Sequence, residues 1–189
     1  KNYKGEMFLE ITSRSFDIRF KEGDTLNQMR LVNNSNIYLN DIDLLKAHNK
    51  ESLIFTKKKN FIDNGLKVSV DLSDDNKICA YVSKDSIFKI NFNKTYCYKK
   101  TEFWIPLKPK NKSLIIEKGK FYILKSKEKI RIPENLAGEM MPYDTGIGDF
   151  RVHYAGFFDP GFGHPKGSFA VLEVKTNELS FIIEDGQTI

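Results

Sequence analysis

Cysteine, histidine and long apolar runs are scarce in this chain, and each scarcity argues against a class of protein. The two cysteines, Cys79 and Cys97, form no CxxC pair, and the three histidines show no zinc-ligand spacing, so no structural zinc site is predicted. Two cysteines also make a weak case for a disulfide, and reduced, partly buried thiols fit a cytoplasmic protein. No apolar run approaches the roughly 20 residues that span a bilayer, so no membrane association is expected.

Positive charge is in modest excess, with a formal net charge of +5 at pH 7. This balance suits anionic ligands, which include nucleotides and nucleic acids. The basic residues are scattered, and Lys57-Lys58-Lys59 is the one tight run, so a solvated, lysine-rich surface is the simpler interpretation. A nucleic-acid groove would require basic residues interleaved with exposed aromatic side chains on one face. A basic β-barrel that binds nucleic acid is therefore the hypothesis ranked last.

A short internal repeat is the most informative feature that the chain does contain. Leu9-Glu10-Ile11 returns as Leu172-Glu173-Val174, and Glu22-Gly23-Asp24-Thr25-Leu26 returns as Asp185-Gly186-Gln187-Thr188-Ile189. Both blocks are displaced by 163 residues, and equal spacing over two blocks indicates a duplicated unit. The chain is thus expected to be a window from a tandem protein. Residues 1–33 are then the C-terminal strands of a first unit, 34–65 a linker with a short helix, and 66–189 a second unit that is truncated at its C-terminal end.

Apolar residues that alternate with polar ones predict an all-β sandwich or barrel. The predicted strands share this period of two or a short apolar core, and they cover residues 6–11, 16–20, 26–32, 68–72, 88–92 and 121–123.

Turn and cap signals separate these strands. Three turns are predicted, at Glu22-Gly23-Asp24, Glu117-Lys118-Gly119 and Asp159-Pro160-Gly161. Asn40 is predicted to cap a short helix, with acidic residues in its first turn, and Pro133 opens a single helical turn through residue 137. The polar run at residues 33–36 is the predicted unit boundary.

Several motifs follow one another in a fixed order along the second half of the chain. They are Glu117-x-Gly119-x-Phe121-Tyr122-Ile123-Leu124, Arg131-Ile132-Pro133-Glu134-Asn135-Leu136-Ala137-Gly138, Phe158-Asp159-Pro160-Gly161 followed by Gly167, and Val171-Leu172-Glu173. In this order the motifs resemble the dCTP deaminase and dUTPase superfamily over residues 115–189. The long string over residues 141–164 is most similar to the two-domain dCTP deaminases of some bacteria, and residues 5–31 resemble the end of the first half of those proteins. The resemblance is weakest from about residue 33 to 110.

The resemblance implies a fold, a reaction and an assembly. The fold is a dUTPase-like distorted β-barrel or jelly-roll with one or two short helices. The reaction is deamination of dCTP to dUTP and ammonia, with no cofactor bound directly and with Mg²⁺ carried by the substrate triphosphate. The assembly is a homo-oligomer with trimeric or pseudo-trimeric symmetry, and nucleic acid is not an expected partner.

Glu10 and Glu173 match the glutamate that is the catalytic acid/base in dCTP deaminases. Zinc deaminases form hydroxide on a metal and use a nearby glutamate as proton shuttle, but this chain has no H-x-E and no P-C-x-x-C motif. Water is therefore expected to be activated by a positioned general base. A carboxylate in an apolar strand suits this task, because desolvation raises its pKa toward neutrality. The structural alternative is a strand glutamate whose side chain simply points to solvent.

The candidate substrate-binding residues flank these glutamates or match family positions, and they are Asp159, Val171, Leu172, Phe8, Leu9 and Arg151. Asp159 also suits a purely structural role in its turn.

The phosphate-binding motif departs from the family pattern in the second unit. Single-domain relatives carry Ser-Ser-x-x-Arg before the Asp-Pro-Gly turn, where this chain has Pro142-Tyr143-Asp144-Thr145-Gly146. Gly146 stands in the place of the arginine, Asp144 repels phosphate, and Arg151 is a candidate replacement with different spacing. The resemblance places the intact motif in the first half, so Glu10 is assigned to an intact half-site and Glu173 to a degenerate one.

Three readings of the function follow from these residues. The first is a dCTP deaminase, of which this fragment is not expected to be active alone. The second is a dUTPase or a bifunctional dCTP deaminase and dUTP diphosphatase. The third, from another class, is a non-catalytic nucleotide-binding regulatory or scaffold half, which the altered loop at residues 142–146 favours.

Overall fold

The computed structural model describes residues 4–29, 38–141, 150–152, 156–177 and 179–189. The elements, in chain order, are β1 (Ile18–Arg19), α1 (Asp41–Lys50), β2 (Ile54–Phe55), β3 (Ala80–Ser83), β4 (Ile90–Asn91), α2 (Lys100–Phe103), β5 (Trp104–Leu107), β6 (Ser113–Ile116), β7 (Phe121–Ile130), β8 (Gly138–Glu139), β9 (Phe150–Val152), β10 (Phe157–Phe158), β11 (Ser168–Thr176) and β12 (Phe181–Glu184). Strands predominate and the two helices are short, which confirms the all-β prediction.

The long strand β7 organises the largest sheet, whose strand order is β5-β3-β7-β11-β9, with β2 also paired to β7. β11 runs antiparallel to β7 along most of its length. The pair β6–β12 contributes Leu114, Ile116 and Ile183 to the same buried core as Leu124 and Leu172 of the large sheet. Side chains from the two sheets thus close one core between them.

Strand β11 has one buried face and one exposed face. Ala170, Leu172 and Val174 are at most 1% exposed, whereas Phe169 and Val171 on the opposite face are 40% and 59% exposed. Burying a leucine of this kind stabilises the fold by about 2 kcal/mol. The core therefore fixes which side chains of β11 face outward.

Helix α1 begins as the sequence predicts. The backbone N–H of Asp43 donates to Asn40 Oδ1 at 2.9 Å, which satisfies one of the unpaired donors of the first turn. The helix leads into β2, whose Ile54 is only 2% exposed. Helix α2 has four residues, too few to leave a periodic signal in the sequence.

Several predicted strands are shorter than expected or do not form. Residues 6–11 and the described part of the segment 26–32 lie outside any strand, while only Ile18–Arg19 and Ile90–Asn91 pair within 16–20 and 88–92. Residues 68–72 make isolated bridges at Ser69 and Val70. Alternation marks a face that suits burial, but a strand also requires a partner in register. The predicted helical turn after Pro133 is a simple turn closed by Leu136 N–H and the Pro133 carbonyl.

The internal repeat is also a repeat of local structure. Asp24 N–H donates to the Lys21 carbonyl at 3.2 Å, and Gln187 N–H donates to the Glu184 carbonyl at 3.1 Å. Gly23 and Gly186 supply the positive φ of each turn, at 88° and 78°. The predicted turn at residues 22–24 is confirmed, and its copy adopts the same geometry 163 residues later.

A second hydrogen bond recurs at the same displacement. Ser13 Oγ donates to the Phe16 carbonyl, and Thr176 Oγ1 donates to the Leu179 carbonyl at 2.7 Å. The burial of the two copies differs, however. Leu9 and Phe20 are 51% and 45% exposed, whereas their counterparts Leu172 and Ile183 are fully buried. The second copy thus lies in the buried core, whereas the first lies against the rest of the molecule through the β1–β4 pair and Phe16.

The loop after β10 closes tightly onto β7 at Gly163. This glycine has φ +72°, and a Cβ there would lie 2.3 Å from the Ile130 carbonyl oxygen. We expect Gly163→Ala to lower the free energy of unfolding by about 3 kcal/mol, the sum of left-handed strain and overpacking. Gly119→Ala is the matched control, because Gly119 has φ +79° with nothing within 4 Å of a Cβ. Urea unfolding measures both, and equal losses would contradict a steric role for Gly163.

Candidate functional site

The outward face of β11 carries two of the predicted site residues. Val171 is exposed and Glu173 is half-buried on this face, while Leu172 between them is fully buried in the core. The side chain of Leu172 therefore packs in the core, and a contact of this residue with substrate stays a prediction for its backbone. Only its backbone faces the neighbouring strands.

Apolar and aromatic neighbours flank Glu173 across the sheet. Glu173 pairs with Ile123 of β7, and Ile123 pairs with Tyr81 of β3. These three residues form one row across three strands, and all three are half-buried. Glu173 thus occupies a partly desolvated position.

The Asp-Pro-Gly turn adjoins this face. Phe162 N–H donates to the Asp159 carbonyl at 3.1 Å, and Gly161 has φ +85°, so the turn prediction is confirmed. A surface cavity of about 470 Å³ lies beside the turn, and it is lined by Phe157, Phe158, Asp159, Pro160, Gly161, Phe162, Phe169 and Val171. The structure therefore brings Asp159 and Val171 to one cavity, as a shared substrate site requires.

Phe8, Leu9 and Glu10 do not line this cavity. Phe8 and Leu9 are 89% and 51% exposed, and the predicted strand around Glu10 is absent. A strand at this position lacks the pairing that β7 gives to β11. The prediction that Glu10 sits in an apolar strand is thus wrong for this structure.

The N-terminal segment nevertheless contacts the second half further along. The ring of Phe16 lies 5.2 Å from Phe103 and 5.0 Å from Trp104, edge-on to both. Lys175 Nζ donates to the Arg14 carbonyl at 3.2 Å. These contacts hold the segment against α2, β5 and the end of β11.

The remaining predicted residues are only partly described. Arg151 pairs with Lys175 in the β9–β11 ladder, two residues from Glu173, and its side chain lies outside the described residues. The altered loop at residues 142–146 and His153 also lie outside them. His164 is exposed, and its backbone N–H donates to the Gly161 carbonyl at 3.1 Å.

The structure describes the surroundings of both cysteine thiols. Cys79 is half-buried and Cys97 is exposed, and neither is in a disulfide. Burial raises the pKa of the Cys79 thiol to about 11. Within the described ranges, no group of three or more His, Cys, Asp or Glu side chains could hold a metal ion. No helix found there is long and apolar enough to cross a membrane.

Sequence reasoning missed Phe169, Lys125 and Lys129 beside the cavity. The Phe169 ring lines the cavity, and the ammonium groups of Lys125 and Lys129 lie 4.6 and 5.3 Å from its centroid. The signal was present in the sequence as lysines at every second position of β7. It was overlooked because such a row reads as an ordinary solvated face.

The strand-rich architecture, with its large sheet around β7 and β11, is that of an all-β, dUTPase-like fold. The family model for the C-terminal domain of 2'-deoxycytidine 5'-triphosphate deaminase matches residues 40–189, and the model for its N-terminal domain matches residues 1–35. The chain belongs to the 2'-deoxycytidine 5'-triphosphate deaminase family.

A solved structure supports this placement. The crystal structure of 2'-deoxycytidine 5'-triphosphate deaminase from Agrobacterium tumefaciens is 40% identical to the chain, with a TM-score of 0.72. The match covers 79% of this chain and 45% of that one, so the chain spans less than half the length of this relative. A comparison with curated proteins gave no significant match.

Proposed function

We propose that the protein deaminates dCTP to dUTP and ammonia. The observation that carries the proposal is the half-buried Glu173 on the outward face of β11, the same face whose Val171 lines a cavity together with Asp159. Family membership and the similarity to a solved 2'-deoxycytidine 5'-triphosphate deaminase support the same reaction.

The chemistry requires a base that activates water and later delivers a proton. The glutamate carboxylate takes a proton from the attacking water, and the resulting hydroxide adds to C4 of cytosine. The same group then returns the proton to the amine, which leaves as ammonia. In the second unit, Ile123 and the core side chains beneath β11 limit the solvation of Glu173.

The repeat assigns the two glutamates to two half-sites. Glu10 is proposed as the working base, because the resemblance places the intact phosphate motif in its half. Glu173 occupies the degenerate site, since Gly146 replaces the arginine there. The segments 1–33, 34–65 and 66–189 remain our proposed division into first unit, linker and second unit.

Substrate binding and assembly extend this proposal. Asp159, Val171 and Arg151 contact nucleotide in the second unit, and Phe8 and Leu9 do so once the first unit pairs their segment into a strand. Mg²⁺ arrives with the triphosphate, and the protein binds no cofactor of its own. The units assemble with trimeric or pseudo-trimeric symmetry in the cytoplasm.

Product analysis separates this reaction from its relatives. The complete protein is incubated with dCTP, and ammonia, dUTP, dUMP and pyrophosphate are resolved. Equal amounts of ammonia and dUTP are expected. Pyrophosphate release would replace the simple deaminase with a dUTPase or a bifunctional enzyme, and nucleotide binding without ammonia would favour a regulatory half.

A further inference from the structure

Two lysines lie over the ring of Phe169, which lines the cavity, and the three side chains form a compact basic surface. We call Lys125, Phe169 and Lys129 the lysine–phenylalanine cluster. Phe169 pairs with Lys129, and Val171 pairs with Lys125, so the register shifts between these two pairs. Five residues of β7 (125–129) therefore lie opposite three of β11 (169–171), and both lysines converge on the one ring. Their ammonium groups lie 5.3 and 4.6 Å from its centroid.

The charges of the lysines along β7 are not equally available. Lys127 is paired with Asp185, and Lys125 Nζ lies 2.7 Å from Asp71. Burial alone would raise the pKa of Asp71, but hydrogen bonds from Lys125 and Ser73 outweigh it and lower that pKa, so this partner stays ionised. Lys129 pairs with no carboxylate among the described residues, and its contact is the Phe169 ring. Its charge is thus open to a ligand.

The lining of the cavity indicates how a nucleotide bound there would be oriented relative to Lys129. Phe169 lines the cavity with Val171, and Asp159 lies on the same lining. An ionised carboxylate repels phosphate but accepts a hydrogen bond from an amine such as that of cytosine. A nucleotide whose base lies near Asp159 would therefore extend its phosphates away from it, toward the lysines.

We propose that the lysine–phenylalanine cluster binds the polyphosphate of a nucleoside triphosphate whose base occupies this cavity, with Lys129 as the main cation. The identity of that nucleotide as dCTP rests on the proposed function. In the second unit Gly146 stands in place of the arginine of the family's phosphate motif. The cluster supplies the positive charge that this arginine would have provided. A second unit with this cluster holds nucleotide even though its family phosphate motif is lost.

Titration calorimetry of the complete protein tests the cluster with three probes: inorganic tripolyphosphate, dCTP and deoxycytidine. The background is Glu10→Gln, so that substrate is not consumed during the titration. Lys129→Gln is expected to weaken tripolyphosphate and dCTP binding at this site about tenfold, the usual value of a charge-assisted hydrogen bond, and to leave deoxycytidine binding unchanged. Raising the salt concentration should reduce the difference in tripolyphosphate affinity between the Lys129→Gln and parent proteins, because exposed charges are screened.

Lys127→Gln is the matched control, since it removes a lysine from the same strand whose charge Asp185 already compensates. It should leave all three affinities within about twofold, as expected of surface ion pairs. Equal affinities of the Lys129→Gln and parent proteins for tripolyphosphate would overturn the proposal, even if dCTP is still deaminated. Lysine-dependent tripolyphosphate binding would uphold the proposal even if the protein that retains Glu10 does not turn over dCTP, and that absence of turnover would contradict the proposed function. Single-stranded DNA is titrated as a fourth probe, and lysine-dependent binding that is tighter for this DNA than for dCTP would overturn the proposal.

Discussion

Glu10→Gln should reduce the rate of dCTP deamination by about 10²- to 10⁴-fold, the usual contribution of a general base. Glutamine keeps the size of the side chain but cannot accept the proton of the attacking water. Glu173→Gln should change turnover much less, because its half-site lacks the arginine of the phosphate motif. Steady-state ammonia release from the complete protein, with each variant at saturating dCTP, measures both effects.

Glu22→Gln is the matched control for charge, because Glu22 is exposed in the first repeat turn. It should turn over dCTP at the parent rate. The half-site assignment is wrong if only the Glu173 change abolishes turnover. That result would make the visible β11 site the working one, with Glu173 as its base.

Glu128→Ala should lower the free energy of unfolding by about 3 kcal/mol, the cost of breaking a buried, hydrogen-bonded charge pair. Glu128 is only 3% exposed, and its carboxylate accepts from Ser69 N–H at 2.8 Å and from Ser69 Oγ at 2.7 Å. Lys58 Nζ lies 3.3 Å away. Alanine would leave the fully buried Ser69 without these partners, whereas Lys58 is exposed enough to reach water.

Glu134→Ala provides the comparison, since Glu134 is exposed in the turn after Pro133. Its effect should be under about 0.5 kcal/mol, as for most surface substitutions. Urea unfolding of the two variants measures the difference. Equal stabilities would show that the buried carboxylate is not a net contributor to the fold.

Local signals predicted the features that depend on neighbouring residues. Asn40 caps its helix, the Asp-Pro-Gly turn forms, and the two repeat turns match, because each needs only four or five consecutive residues.

Long-range pairing explains what the sequence could not show. Residues 6–11 carry a strand-like pattern, but pairing depends on partners that the pattern does not name. Glu128 lies in the run Lys125-Ser126-Lys127-Glu128-Lys129 and looks solvated, yet Ser69 and Lys58 meet it in the interior. The lysine–phenylalanine cluster likewise arises only from the shifted register of β7 and β11.

The most direct test of the central claim follows the oxygen of the attacking water. The complete protein is incubated with dCTP in H₂¹⁸O, and the products are analysed by mass spectrometry. Deamination by water attack at C4 predicts one ¹⁸O in the uracil base of dUTP and none in the phosphates. Label in dUMP or pyrophosphate phosphate groups, with an unlabelled base, would contradict the account.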